Sequence, residues 1–179
     1  NQVGKDESGH KSTALSSILD NNERKDIKSY LHKHGADLQL AYKKKYPNST
    51  PLICACEKGR FDDVKVFITN HDVDASGMAL NEMINQVHMH AKYGGFGHGE
   101  TNVTALSTVL DDNQKNDIKA YLLEHGADLH LAYKTKYPKG TPLICAYEKG
   151  RFDDVIILIR DHDVDATGMR LHEMVNTVG

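Results

Sequence analysis

Cysteine is scarce in this chain of 179 residues, and the three present do not form a pattern that ligates metal or frames a disulfide scaffold. Cys54, Cys56 and Cys145 lie inside apolar stretches, which makes them small core residues. Reduced core thiols point to the cytoplasm. Two glycosylation sequons, Asn48-Ser-Thr50 and Asn102-Val-Thr104, point the other way and leave an extracellular location open. No apolar run approaches the ~20 residues that a membrane-spanning helix needs. A basic excess is also missing. Lys and Arg total 22 against 25 Asp and Glu, a net charge of −3, so no field suited to nucleic acid is expected. Catalytic signatures are absent in turn. There is no Gly-x-Ser-x-Gly elbow and no phosphate loop ending in Gly-Lys-Ser/Thr. Gly95-Phe-Gly97-His-Gly99 follows no predicted strand, and His172-Glu173 lacks the second histidine of a zinc-protease helix. The expectation is a protein that is not an enzyme and carries no cofactor.

What the chain does have is an internal repeat. Thr13-Ala-Leu-Ser16 returns as Thr104-Ala-Leu-Ser107, an offset of 104 − 13 = 91, and Thr50 returns as Thr141 at the same offset. Residues 13–87 therefore map without a gap onto 104–178. The stretch that sets the reading is Thr50-Pro-Leu-Ile-Cys-Ala-Cys-Glu-Lys-Gly59, continued by Arg60-Phe-Asp-Asp-Val-Lys-Val-Phe-Ile68. Thr50 can cap a helix, Pro51 suits its first position, and Gly59 suits its end. Leu52, Ala55 and Cys56 form one apolar stripe. Asp62 and Asp63 open a second helix, where carboxylates suit the positive end of the dipole. Its stripe is Phe61, Val64, Phe67 and Ile68. A pair of amphipathic helices cannot bury its own apolar face and needs neighbours of the same kind.

Each 91-residue unit holds two such hairpins, at 13–38 and 50–74 and again at 104–129 and 141–165. Thr-Pro-Leu-x-x-Ala-x-x-x-Gly, a second helix, and His34-Gly-Ala-Asp-Leu38 together resemble the ankyrin repeat, over nearly the whole chain. The resemblance implies an all-α, ankyrin-like solenoid of four helical hairpins in two near-identical units. The pattern departs from the family where its histidine would follow Thr-Pro-Leu: Ser16, Ile53, Ser107 and Ile144 stand there. An additional short helix is expected at 78–87 and at 169–178, from Met and aliphatic residues at helical spacing. The division into domains is then 1–87, a Gly/His-rich connecting loop at 88–103, and 104–179. Seven residues longer than its first-unit counterpart, the loop is expected to be a surface excursion. Asn1-Gln-Val-Gly4 resembles Asn176-Thr-Val-Gly179, so the chain is expected to be a window from a longer array.

In ankyrin-like solenoids the projecting loops and the exposed end of the first helix line a concave binding face. Carried to this chain, that face would comprise Asp20, Asn21, Lys43, Lys45, Tyr46, Glu57 and Lys58. Its second copy would comprise Asp111, Asp112, Lys134, Lys136, Tyr137, Glu148 and Lys149. The stretch Leu40–Pro47 is read here as the projecting loop that carries the lysines. Tyr and Lys beside acidic neighbours suit recognition of a protein surface. Two metal readings stand beside this. Asp72, Asp74 and Ser76, with Asp163, Asp165 and Thr167, begin like calcium loops, but the twelfth position is Met83 or Met174 instead of Glu. His88, His90 and His98 could ligate zinc or copper. The functional expectation is a non-catalytic repeat scaffold mediating protein–protein interaction. The alternative is a structural segment of a long tandem-repeat array or fibre that self-associates, with Ca or Zn held in its loops. No nucleic acid and no membrane insertion enter either reading.

Overall fold

The computed structural model describes residues 2–5, 11–21, 24–70, 79–91 and 100–161, with the side chains of Lys11, His90, Ala91 and Glu100 outside that description. The described chain is mostly helical, and it divides into two compact units, Asn1–Asp72 and Val73–Gly179. That boundary lies upstream of the one expected at residue 87, so the helix near residue 80 groups with the second unit.

The first unit opens with a short ribbon, β1 (Gly4–Lys5) paired with β2 (Lys11–Ser12). Five helices come next: α1 (Ala14–Ile18), α2 (Lys25–Lys33), α3 (Leu38–Lys45), α4 (Pro51–Glu57) and α5 (Phe61–Thr69). Local chemistry sets most of their ends. Thr13 and Ser16 form a reciprocal cap on α1: the Ser16 N–H donates to Thr13 Oγ1 at 3.0 Å and the Thr13 N–H to Ser16 Oγ at 2.8 Å. Ser16 thus serves its own helix end. Gly35, at φ +84°, terminates α2, and Asp37 caps α3 by accepting from the Leu40 N–H at 2.9 Å. Thr50 caps α4 through the Ile53 N–H at 3.3 Å, Pro51 takes the first turn, and Gly59 ends the helix, as the residues alone imply.

Helix α3 is the main departure from expectation. Leu40–Pro47 is not a projecting loop: Leu38–Lys45 is helical, and Leu38, Ala41 and Tyr42 are buried on one face. The signal was present as i, i+3, i+4 spacing. The Lys43-Lys-Lys45 run obscured it, because such a run reads as a solvated tip. On the helix those lysines occupy the last turn, where positive charge meets the negative end of the dipole. α3 packs against α1, α4 and β2, α1 contacts α2, and α4 contacts α5. The ring of Tyr42 meets Phe67 edge-on at 5.2 Å. Leu52, Ile53, Cys54, Ala55 and Cys56 are all buried, so α4 is a core helix throughout.

The second unit begins with α6 (Leu80–Ile84) and a ribbon of β3 (His88–Ala91) against β4 (Glu100–Val103), His88 opposite Val103 and Ala91 opposite Glu100. The stretch expected as a connecting loop is therefore an antiparallel ribbon at both ends. β4 also packs against α9, so it is more than a surface excursion. Glycines and histidines hid the ribbon because its pairing is a long-range backbone match, which composition does not encode. Next come α7 (Ala105–Val109), a 3-10 turn at Asn113–Lys115, α8 (Asn116–Glu124), α9 (Leu129–Lys136), α10 (Pro142–Glu148) and α11 (Phe152–Arg160). Thr104 and Ser107 repeat the reciprocal cap, and Asp128 repeats the cap of α3 on α9. Thr141 sits at the α10 N-cap but makes no cap bond. The hairpin ends at 71–74 and 162–165 and the additional helix at 169–178 lie outside the described residues.

Leu52 and Ala55 are at most 2% exposed. Replacing either by Asp buries an unpaired carboxylate, at a cost of several kcal/mol. Leu52→Asp and Ala55→Asp are therefore expected to lower the melting temperature steeply and reduce helicity by circular dichroism. An unchanged melt in either variant would remove α4 from the core.

Candidate functional site

Of the residues expected to form a binding face, the first unit gathers Asp20, Lys45, Tyr46 and Lys58 in one place. Asp20 follows α1, Lys45 ends α3 with Tyr46 just past it, and Lys58 follows α4. The Tyr46 hydroxyl donates to Asp20 Oδ1, and Arg60 Nη2 reaches the same oxygen at 2.5 Å. Lys45 Nζ and Lys58 Nζ each lie 3.6 Å from the carboxylate. Lys58 also stands over the Tyr46 ring, 4.7 Å from its centre. Burial raises the Asp20 carboxyl, but the Tyr46 and Arg60 hydrogen bonds, with the charges of Lys58 and Arg60, outweigh it and bring the group down to about 2. Burial and the Asp20 bond push the Tyr46 phenol above its usual range. The carboxylate is held ionised and the phenol held protonated.

The second unit repeats the arrangement. Tyr137 donates to Asp111 at 2.5 and 2.6 Å, Arg151 Nη2 lies 2.9 Å away and Lys136 Nζ 3.2 Å. Lys149 stands 4.6 Å over the Tyr137 ring. Asp111 is likewise lowered: burial opposes, but Tyr137 and Lys136 prevail. The first cluster sets three cations around Asp20; the second sets two around Asp111, with Lys149 over the tyrosine ring and half-buried Lys136 also donating to the Ser107 carbonyl at 3.1 Å.

Arg60 and Arg151 were missed. They stand between two helices, next to the glycine that ends the first, so their sequence context reads as a turn. Arg60 Nη1 also donates to the Tyr42 hydroxyl at 3.2 Å. That hydroxyl donates in turn to Asp63 Oδ2 at 2.6 Å, and Lys28 Nζ reaches the same oxygen at 2.5 Å. Asp63 is 3% exposed. Asp62 and Asp63 were both read as dipole partners at a helix start. Only Asp62 is an exposed surface carboxylate, paired with Lys65 at 3.0 Å. In the second unit Tyr133 donates to buried Asp154 at 2.7 Å and Lys119 lies 2.5 Å from it. Burial and the adjoining carboxylates raise both Tyr42 and Tyr133 well above the usual phenol range.

The remaining expected residues lie around these clusters. Lys43 and Lys134 are exposed on α3 and α9, Asn21 is exposed after α1, and Glu57 and Glu148 end α4 and α10. Asp112 caps the 3-10 turn, accepting from the Gln114 N–H at 3.0 Å, with Lys115 at 3.0 Å. Asp72, Asp74, Ser76, Asp163, Asp165, Thr167, His98 and the side chain of His90 lie outside the described residues. His88 is half-buried on β3. Among the described residues no three His, Cys, Asp or Glu side chains gather as metal ligands, and no helix is long and apolar enough to cross a membrane.

Two outcomes are expected from this geometry. NMR titration should place Asp20 at about 2, against an ordinary value near 3.9, and Tyr46→Phe should raise it. Because the folded value is the lower one, the stability contributed by Asp20 is complete above pH ~4 and is lost as pH falls toward 2. Asp63→Ala, which leaves the half-buried Lys28 and the buried Tyr42 hydroxyl without their carboxylate, should cost about 3 kcal/mol in urea unfolding. A cost below about 1 kcal/mol would show the pair to be dispensable. No protein-family model matches the chain, and no curated protein matches it.

Proposed function

We infer that this protein is a non-catalytic repeat scaffold that binds a protein partner through the two equivalent basic–aromatic clusters. One observation carries the reading. Asp20, Lys45, Tyr46, Lys58 and Arg60 recur as Asp111, Lys136, Tyr137, Lys149 and Arg151, built each time from the same elements. In each cluster the carboxylate neutralises one of three cations, which leaves a positive, aromatic-edged surface. Such a surface suits acidic side chains on a partner, and Tyr and Arg are the residue types that most often anchor protein interfaces. The finer architecture, an ankyrin-like solenoid of four hairpins, belongs to the same proposal and rests on the resemblance of the Thr-Pro-Leu and Gly-Ala-Asp motifs. Buried free thiols at Cys54, Cys56 and Cys145 favour the cytoplasm.

The second reading, a structural segment of a long array, is favoured by the sameness of the two clusters. A cognate binder usually diversifies its contacts, whereas Lys44/Thr135 and Cys56/Tyr147 are among the few marked differences between the units.

The test is a salt titration of binding to an array of acidic peptides. Lys45→Glu with Lys58→Glu, and Lys136→Glu with Lys149→Glu, should each weaken binding by about tenfold or more at a temperature where circular dichroism shows the variant folded. Absence of binding at low salt, or binding indifferent to all four reversals, would overturn the partner reading in favour of the structural one.

A further inference from the structure

The two basic–aromatic clusters match in residue type but differ in how their lysines are held. In the second unit Lys136 is committed twice. Its Nζ donates to the Ser107 carbonyl at 3.1 Å and lies 3.2 Å from Asp111. Ser107 belongs to the last turn of α7, where carbonyls lack partners within the helix and a cation meets the negative end of the dipole. Arg151 supplies the other charge to Asp111, at 2.9 Å. Lys149 is exposed and stands over the Tyr137 ring, 4.6 Å from its centre. Among the described residues it forms no ion pair, so it is the lysine that this cluster presents.

In the first unit Lys45 takes the place of Lys136. Among the described residues it makes no bond to Ser16, the counterpart of Ser107. It meets Asp20 at 3.6 Å, beyond hydrogen-bonding distance, and its side chain is 37% exposed against 27% for Lys136. Lys58 also lies 3.6 Å from Asp20, with its side chain 38% exposed. The short contacts to Asp20 come from Arg60 and Tyr46. Exposed ion pairs of this loose kind contribute least in water and are given up most readily. The same helix end carries a second difference. Lys44 is exposed on α3, whereas its counterpart Thr135 turns its hydroxyl back to the Ala132 carbonyl at 2.9 Å.

Resting on the partner reading above, we propose that the two clusters recognise different acidic sequences: the Asp20 cluster takes two neighbouring carboxylates, one on Lys45 and one on Lys58, and the Asp111 cluster takes a single carboxylate on Lys149. Drawing Lys136 toward a second carboxylate strips the Ser107 carbonyl of its donor and takes one of two cations from Asp111, so the second site has no ready second lysine. Lys45 moves at little cost, because Arg60 and Tyr46 keep Asp20 satisfied. Lys45 is therefore the residue that sets the difference in specificity, and Lys136 is its structurally committed counterpart.

NMR titration of the full chain at low salt tests it, with two end-blocked peptides, Gly-Glu-Glu-Gly and Gly-Gln-Glu-Gly. Shifts at Tyr46 and Lys58 report the first cluster, and shifts at Tyr137 and Lys149 report the second, so both are read in one molecule. The first cluster is expected to bind the Glu-Glu peptide about fivefold or more tighter than the Gln-Glu peptide, and the second to differ by less than about twofold. Lys45→Ala should bring the preference of the first cluster down to that of the second, which serves as the internal reference. Circular dichroism checks that the variant is folded, and Lys45→Arg, which keeps the charge, should retain the preference. The same preference at both clusters, or a preference that survives Lys45→Ala, overturns this inference and leaves the partner reading standing. The absence of shifts at either cluster with either peptide overturns both.

Discussion

A carboxylate buried at the start of a helix is the constraint on which each unit depends. Asp63 and Asp154 are removed from water and each is met by a tyrosine hydroxyl and a lysine ammonium. An unpaired charge in that position would cost several kcal/mol, so the partners cannot be absent. They come from different elements. In the first unit Lys28 belongs to α2, Tyr42 to α3 and Asp63 to α5, and satisfying one charge fixes the mutual placement of three helices. The hydrogen-bonded tyrosine also fills space, since its ring packs edge-on against Phe67 of α5.

From that core the polar chain runs to the surface. Arg60 bonds the Tyr42 hydroxyl at one end and Asp20 at the other. It thereby connects the buried carboxylate to the exposed cluster of Tyr46, Lys45 and Lys58. The surface cluster is positioned by the core, not by the flexibility of its own long side chains. In the partner binding proposed above, cations held in place would lose less conformational entropy.

Much of the architecture was legible in the residues. The repeat offset, the capping of α4 by Thr50, and the stop at Gly59 were read correctly from the chain alone, as were the buried cysteines. The pairing of Asp20 with Tyr46, Lys45 and Lys58 was partly legible: the residue types were singled out together, although on the premise of a projecting loop. Helix α3 was not read as a helix, because a run of three lysines outweighed the shorter apolar spacing of Leu38, Ala41 and Tyr42. The β3–β4 ribbon was missed because its hydrogen bonds join residues on either side of a glycine-rich stretch.

Local signals succeeded because caps, proline and positive-φ glycine act within about four residues of where they stand. The residues alone therefore fixed the start and stop of α4 and showed that the unit occurs twice, but not helix α3 or the ends of α6, which is Leu80–Ile84 where 78–87 was expected. The sequence could not decide which of the adjacent carboxylates, Asp62 or Asp63, faces inward, since both are the same residue type at a helix start. Nor could it show that Arg60 meets Asp20 and Tyr42, or that Lys28 meets Asp63. Those contacts join residues 18 to 40 positions apart. They exist only once α3 has packed between its neighbours and set the phase of α5, which is a decision made by tertiary packing.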